Sequence, residues 1–169
     1  LLKNMEDFNM AKIERKYLAH YINTAMPGAE AVYERLGKDL EEFSPELAAQ
    51  VDTKKNILGE TSIMLSGYEK TGSVEPYYAE SGSGLFRRLQ GIIDDQQVLD
   101  QLKADVVEVK LWESAEGSVY PASREEVYIE ITSYGGDTTG YQIPFTLHYT
   151  GNRVHGIFDV ASKTFTPNS

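Results

Sequence analysis

The stretch SPELAAQVDTKKNILGETSIMLSGY, residues 44–68, carries two conflicting signals, and the fold turns on which of them wins. Its first half has the local chemistry of a helix. Ser44 followed by Pro45 and Glu46 reads as an N-cap with a first-turn proline, and Leu40, Phe43, Leu47 and Val51 recur at helical spacing. Its second half has the period of a strand, because Ile63 and Leu65 alternate with Ser62, Met64 and Ser66 up to Tyr68. Taken locally, residues 44–55 form a helix and residues 62–68 a strand.

Upstream, Ile13 to Ile22 alternates loosely and predicts a strand, broken at Met26-Pro27-Gly28, with Ala31 to Leu36 as a short partner. Downstream, Ser73 to Ala79 extends the residue 62–68 strand past Gly72. A helix over about 83–102 follows, because Leu85, Phe86, Leu89, Ile92 and Ile93 share one face, Ser81 or Ser83 can cap it, and Gly91 weakens its middle. From Asp105 to Phe165 the chain reads as sheet. Val107, Val109 and Leu111 alternate with charged residues, as do Val127, Ile129 and Ile131. Gly151-Asn152 reads as a two-residue hairpin turn, pairing Tyr149 with Val154, Leu147 with Gly156 and Phe145 with Phe158. A short strand at Lys163 to Phe165 closes the pattern, and Ser114–Ser123 and Ser133–Gly140 are loops.

The 169 residues suit one domain, read here as residues 13–169 behind a flexible N-terminal leader at residues 1–12. With 26 acidic against 16 basic side chains the formal charge is −10, which disfavours a broad surface for phosphates or anionic lipid. There is no cysteine, so disulfides, thiolate metal sites and cysteine nucleophiles are excluded. No apolar run approaches the length of a membrane helix, and the first ten residues lack the pattern of a signal peptide; the expectation is a soluble protein made in the cytoplasm.

Constellations with chemical potential are few. The predicted hairpin sets His148 opposite His155, where two imidazoles could hold a metal, but no motif supplies further ligands and an exposed cross-strand pair is the preferred reading. His20 lacks a recognisable partner and is expected at the surface or an interface. Asp94-Asp95 diverge on a helix and cannot flank one bond. Ser81-Gly82-Ser83-Gly84 lacks the lysine of a phosphate loop and reads as turn and cap, and Gly135-Gly136-Asp137 as a flexible loop. No catalytic signature, metal set or cofactor motif appears, so the expectation is a non-enzymatic protein without cofactors. Eleven tyrosines, among them Tyr33, Tyr68, Tyr77, Tyr78, Tyr120, Tyr128, Tyr134 and Tyr141, leave packing within the monomer and contact between subunits both open.

The order of parts resembles the tail tube (major tail) proteins of siphophages, most like those from phages of Gram-positive hosts. It rests on an early strand, the polar run Val51-Asp52-Thr53-Lys54-Lys55-Asn56-Ile57-Leu58-Gly59-Glu60, a strand, Tyr77-Tyr78-Ala79-Glu80 leading into an amphipathic helix, and a meander containing Tyr134-Gly135-Gly136-Asp137-Thr138-Thr139-Gly140-Tyr141. The resemblance covers about Ile13 to Phe165. It implies a mainly β fold, a β-sandwich or barrel with one flanking α-helix. It further implies a long hairpin over about residues 39–80 that pairs between subunits, against the local helix signal. The oligomer implied is a stack of hexameric rings around a lumen that conducts DNA without binding it specifically. Glu41, Glu42, Glu46, Asp52 and Glu60 are then the candidates to line it, repelling phosphate. The implied partners are further copies of the chain together with tape-measure, tail-tip and tail-terminator proteins, and the implied location is the virion tail, assembled in the host cytoplasm. The competing readings are a tube protein of a contractile tail, bacteriocin or type VI secretion apparatus, and a monomeric β-sandwich binding module with its ligand end at the two loops.

Overall fold

In a computed structural model, which describes residues 11–113 and 116–169, alternating apolar and polar residues build one strongly curled, half-barrel sheet with a single α-helix. The strands are β1 (Leu18–Asn23), β2 (Tyr33–Arg35), β3 (Ala49–Lys55), β4 (Thr61–Tyr68), β5 (Thr71–Val74), β6 (Lys103–Lys110), β7 (Val119–Ile131), β8 (Gly135–Asp137), β9 (Gly140–Gln142), β10 (Phe145–Asp159) and β11 (Thr164–Pro167), and the helix is α1 (Gly84–Asp95). The main sheet runs β11-β10-β7-β6-β1-β2, and β5 joins the first half of β10 on the edge that β11 occupies in its second half. The sheet does not close on itself. The leader expected at residues 1–12 lies outside the described residues up to residue 10, as do Ser114 and Ala115 at the start of an expected loop.

Strand parity divides the core in two. Ile22, Val106, Val127, Ile129, Phe145 and Leu147 face α1, and Ala19, Tyr21, Val107, Val109, Ala122 and Phe158 face the other way. Each buried Val, Leu, Ile or Phe among them contributes about 1.5–3 kcal/mol on leaving water, before its entropy cost. Helix α1 lies on the first face through Leu85, Leu89 and Ile92, spaced i, i+4 and i+7. The Ser83 hydroxyl accepts from the Phe86 N–H at 3.3 Å and caps the helix as the sequence predicts. The helix ends at Asp95, earlier than residue 102, because Gln96 turns into the left-handed region and its N–H donates to the Ile92 carbonyl. Gly91 sits inside an unbroken helix.

Several expectations are corrected. Gly151-Asn152 is not a hairpin turn. Phe145–Asp159 is one continuous strand, antiparallel to β7 from Phe145↔Ile131 to Asp159↔Val119, and residues 150–152 form a bulge between Tyr149↔Val127 and Arg153↔Glu125. The physical cause is the length of β7: its alternating residues begin at Val119, inside the expected loop, and offer a partner on both sides of the bulge. The early strand begins at Leu18, with a 3₁₀ turn over Arg15–Tyr17 before it, and Ser73–Val74 belongs to the main sheet rather than extending β4. The loop expected at Ser133–Gly140 contains the β8 strand of a small hairpin that ends in β9.

The helix signal at residues 44–55 also loses. Glu46 exchanges both backbone hydrogen bonds with Thr71, Ala48 takes a left-handed conformation, and β3 follows, paired with β4. The apolar stripe that suggested a helix is split: Phe43 is buried in the main core, while Leu47 and Val51 are exposed. A hairpin gives Val51 and Thr53 cross-strand partners in Leu65 and Ile63, contacts an isolated short helix would lack.

Candidate functional site

The β3–β4 ribbon is the feature of this fold that the core does not explain. Its two strands pair only with each other, and every residue of both is exposed except Gly67. Its turn is satisfied from within. The Asn56 carboxamide oxygen accepts from the Leu58 and Glu60 N–H groups, both at 2.9 Å, the Asn56 N–H donates to the Glu60 carbonyl, and Gly59 supplies the left-handed residue. That closure leaves Ile57 and Leu58 at the tip, 102% and 76% exposed.

Register separates the ribbon's faces. Ala49, Val51, Thr53 and Lys55 share one face with Tyr68, Leu65, Ile63 and Thr61. Asp52 and Lys54 share the other with Met64 and Ser62. The first face is therefore apolar except near the tip, and Ile63 on it is 73% exposed. The second carries Asp52, Lys54 and Ser62 beside the exposed Met64, and its two charges cancel. Seven residues of β3 at about 3.3 Å each give a projection of roughly 23 Å.

The root of the ribbon is held by a chain of charges on the α1 side of the sheet. Lys70, two residues past β4, places its ammonium 2.7 Å from Glu125 and 4.5 Å from the centre of the Tyr149 ring. Glu125 is buried and accepts from Arg153 at 2.5 Å, Arg153 reaches Glu108 at 3.1 Å, and Glu108 lies 3.4 Å from His20. The His20 hydrogen bond, reinforced by Arg153 and Lys70 and opposed by burial, holds the Glu108 carboxyl down at about 2. Burial, with the Glu125 charge beside it, pushes the Tyr149 phenol up. His20 is thus an interior residue packed edge-on to Phe43, not a surface one.

The five residues expected to line a lumen come from the ribbon and from the segment that precedes it. Asp52 lies on the polar face of the ribbon and Glu60 in its turn, where its carboxylate accepts from the Asn56 side chain. Glu41, Glu42 and Glu46 precede the ribbon, and Glu46 is tied by its backbone to Thr71. The projecting part is accordingly shorter than residues 39–80, since Phe43 and Val74 are core and Tyr77 and Ala79 pack against it. The ribbon strands themselves carry one acid, Asp52, and two lysines.

His148 and His155 are not a pair. His148 stands opposite Tyr128 and hydrogen-bonds Glu130 at 2.9 Å, while His155 stands opposite Ser123 and bonds its hydroxyl at 3.0 Å. Among the described residues no group of three or more His, Asp or Glu is placed to hold a metal. The N-terminus of α1 is filled from within, because the Glu34 carboxylate accepts from the Ser83 hydroxyl at 2.8 Å and the Leu85 N–H at 2.9 Å. Tyr33 is buried with its hydroxyl on Asp105, whereas Tyr68 and Tyr134 are exposed. Among the described residues no helix is long and apolar enough to cross a membrane. No protein-family model matches the chain, and no curated protein matches it in sequence.

Proposed function

We propose that this chain is a structural subunit that polymerises through its β3–β4 ribbon, as a bacteriophage tail tube protein. The observation that carries the reading is the ribbon itself: two strands with both outer edges unpaired and one apolar face in water. Unpaired strand edges recruit other strands, and an apolar face outside the core is stabilised when a second molecule covers it. Ribbons from neighbouring copies would pair edge to edge around a hollow, apolar faces against the subunit bodies and polar faces inward.

In that arrangement Asp52, Lys54, Ser62 and Met64 face the bore, and the ring as a whole remains strongly acidic. Six copies at −10 each total −60, so DNA phosphates are repelled overall and meet no cationic groove that would hold them. Tape-measure, tail-tip and terminator proteins are the partners such a tube needs, and the virion tail is its place.

Negative-stain microscopy of the purified chain tests the reading. Hollow rings or tubes are the expected particles, and Ile63→Lys with Leu65→Lys should abolish the tubes while leaving the melting of the main sheet unchanged, since these side chains stand outside the core. A wild-type chain that stays monomeric at high concentration, or a doubly substituted one that still forms tubes, refutes it.

A further inference from the structure

A second pair of surfaces lies away from the ribbon, at opposite ends of β1 and β6. One is a knob. After α1 the chain turns through Val98 and Leu99, which are 59% and 79% exposed, and Leu99 has a left-handed backbone rare for a bulky residue. The acids Asp94, Asp95 and Asp100 are exposed around it, and none has a cationic partner within salt-bridge distance among the described residues. The knob is rigid by construction. The Val98 N–H donates to the Gln101 side chain at 3.2 Å, and the buried Arg88 guanidinium holds the Gln101 and Lys103 carbonyls at 3.1 and 2.7 Å.

The other surface is a socket, an open depression of about 580 Å³ beside the β2 edge. Leu36, Leu40 and Phe43 supply apolar lining, Arg15 and Arg35 supply its unpaired positive charge, and Lys38 is engaged by Glu80 at 2.7 Å, with Glu41 the one acid in the lining. Arg15 is fixed by the Leu18 and Phe43 carbonyls at 2.6 and 3.0 Å, and Arg35 by the Lys16 carbonyl at 3.1 Å. Neither guanidinium has a carboxylate partner within salt-bridge distance among the described residues, so each keeps spare donors for an incoming acid.

Knob and socket match in both respects, aliphatic against aliphatic and acid collar against basic rim. Their placement is also directional. β6 starts at Lys103, just after the knob, and ends at Lys110 opposite Leu18, which lines the socket, so the two are separated by most of a strand of roughly 25 Å. A patch complementary to a different patch on the same molecule makes a heterologous contact, which closes into a ring or continues as a stack.

We infer that the Val98-Leu99 knob of one copy seats in the Leu36/Leu40/Phe43 socket of the next, joining copies head to tail. The inference rests on the polymerising reading above and names a contact separate from the ribbon. Preformed geometry on both sides lowers the ordering cost of making it, and the charged collar gives it a salt dependence.

Sedimentation velocity of the full chain carrying Ile63→Lys and Leu65→Lys isolates this contact, because ribbon pairing is disabled in it. That protein should still self-associate at concentrations up to about 1 mM, where a single small contact becomes populated. Leu99→Glu, or Arg35→Glu, should each weaken the association at least about tenfold, as loss of a central contact does. An equimolar mixture of the two should form a dimer and stop there, because one live knob meets one live socket. No association in the ribbon-disabled chain, undiminished association in either variant, or growth of the mixture beyond dimers overturns the inference. Tube formation by the wild-type chain is scored separately, so failure here leaves the tail tube reading to its own test.

Discussion

Replacing Glu125 by Gln should unsettle the molecule out of proportion to a single-atom change. Its Oε1 accepts from Lys70 at 2.7 Å and from Arg153 at 2.5 Å, and the residue is 5% exposed. The amide keeps the shape and one carbonyl acceptor but loses the charge, so the Lys70 ammonium, whose side chain is 14% exposed, is left with a neutral acceptor, the Tyr149 ring and the charge of the more distant Glu108. Arg153 is less affected because it is one-third exposed and keeps Glu108. Stranding one buried charge costs about 3–5 kcal/mol in full burial; partial exposure of both cations brings the expected loss to about 2–4 kcal/mol. In urea unfolding followed by far-ultraviolet circular dichroism, that moves the midpoint by about 1–2 M. Lys70→Met and the double variant complete a cycle whose coupling should exceed about 1 kcal/mol. The ribbon should respond too, since Lys70 follows it directly: glutamyl-specific proteolysis after Glu69 should speed up in Lys70→Met. A Glu125→Gln protein within about 0.5 kcal/mol of wild type, with no coupling to Lys70, would sink the claim that this chain of charges anchors the root.

Glu108 makes the acid limb of stability diagnostic. Its folded value of about 2 lies below its ordinary 4.5, so its stabilisation is complete above about pH 5 and is lost as pH falls from 4.5 toward 2; Glu108→Gln should flatten that limb of the urea midpoint against pH, and an unchanged limb would count against the His20–Glu108–Arg153 link. Gly156→Ala should detach β11, because a Cβ there would collide with the Thr166 carbonyl oxygen and lie 2.7 Å from the Phe165 ring; about 1–3 kcal/mol of destabilisation and faster hydrogen exchange at Ile157 and Thr166 are expected, and unchanged protection at both would refute it.

The parts legible in the sequence were those whose signal is local and uncontested. The helix over Leu85, Leu89 and Ile92 and the strands around Val107 and Val127 carry a clear period, and Ser83 is a cap in an unambiguous place. Where local chemistry and long-range pairing disagree, pairing wins. Gly151-Asn152 has the residues of a hairpin turn, yet β7 is long enough to pair on both sides of it, and the turn is reduced to a bulge. Ser44-Pro45 has the residues of a helix start, yet the Glu46–Thr71 bridge and the β4 partner draw the chain into a ribbon. The ionic chain was illegible for a different reason. His20, Glu108, Glu125 and Arg153 come from distant positions, only the parity of four neighbouring strands sets them on one face, and Lys70 reaches them from the link between β4 and β5. The lumen candidates rest on charge and on a place in the expected residue 39–80 hairpin; the register that puts Asp52 and Glu60 on the ribbon and leaves three others before it is not legible in the sequence.

The treatment of strand edges gives the ribbon its significance. A free edge invites pairing with other chains, and proteins blunt such edges by shortening them or ending them with proline. The main sheet does both: β2 has three residues, β5 has four, and β11 has four and ends at Pro167. The ribbon does neither. β3 and β4 run for seven and eight residues without proline, and their one irregularity is a bulge at the root, between Gln50 and Val51. Among the described residues, a chain that shortens its other strand edges while extending the β3–β4 ribbon has placed its longest free edges in an element whose side chains the core does not use. On the polymerising reading the ring removes those edges by closure, and the surface most hazardous to the free subunit becomes the one that neighbouring copies cover.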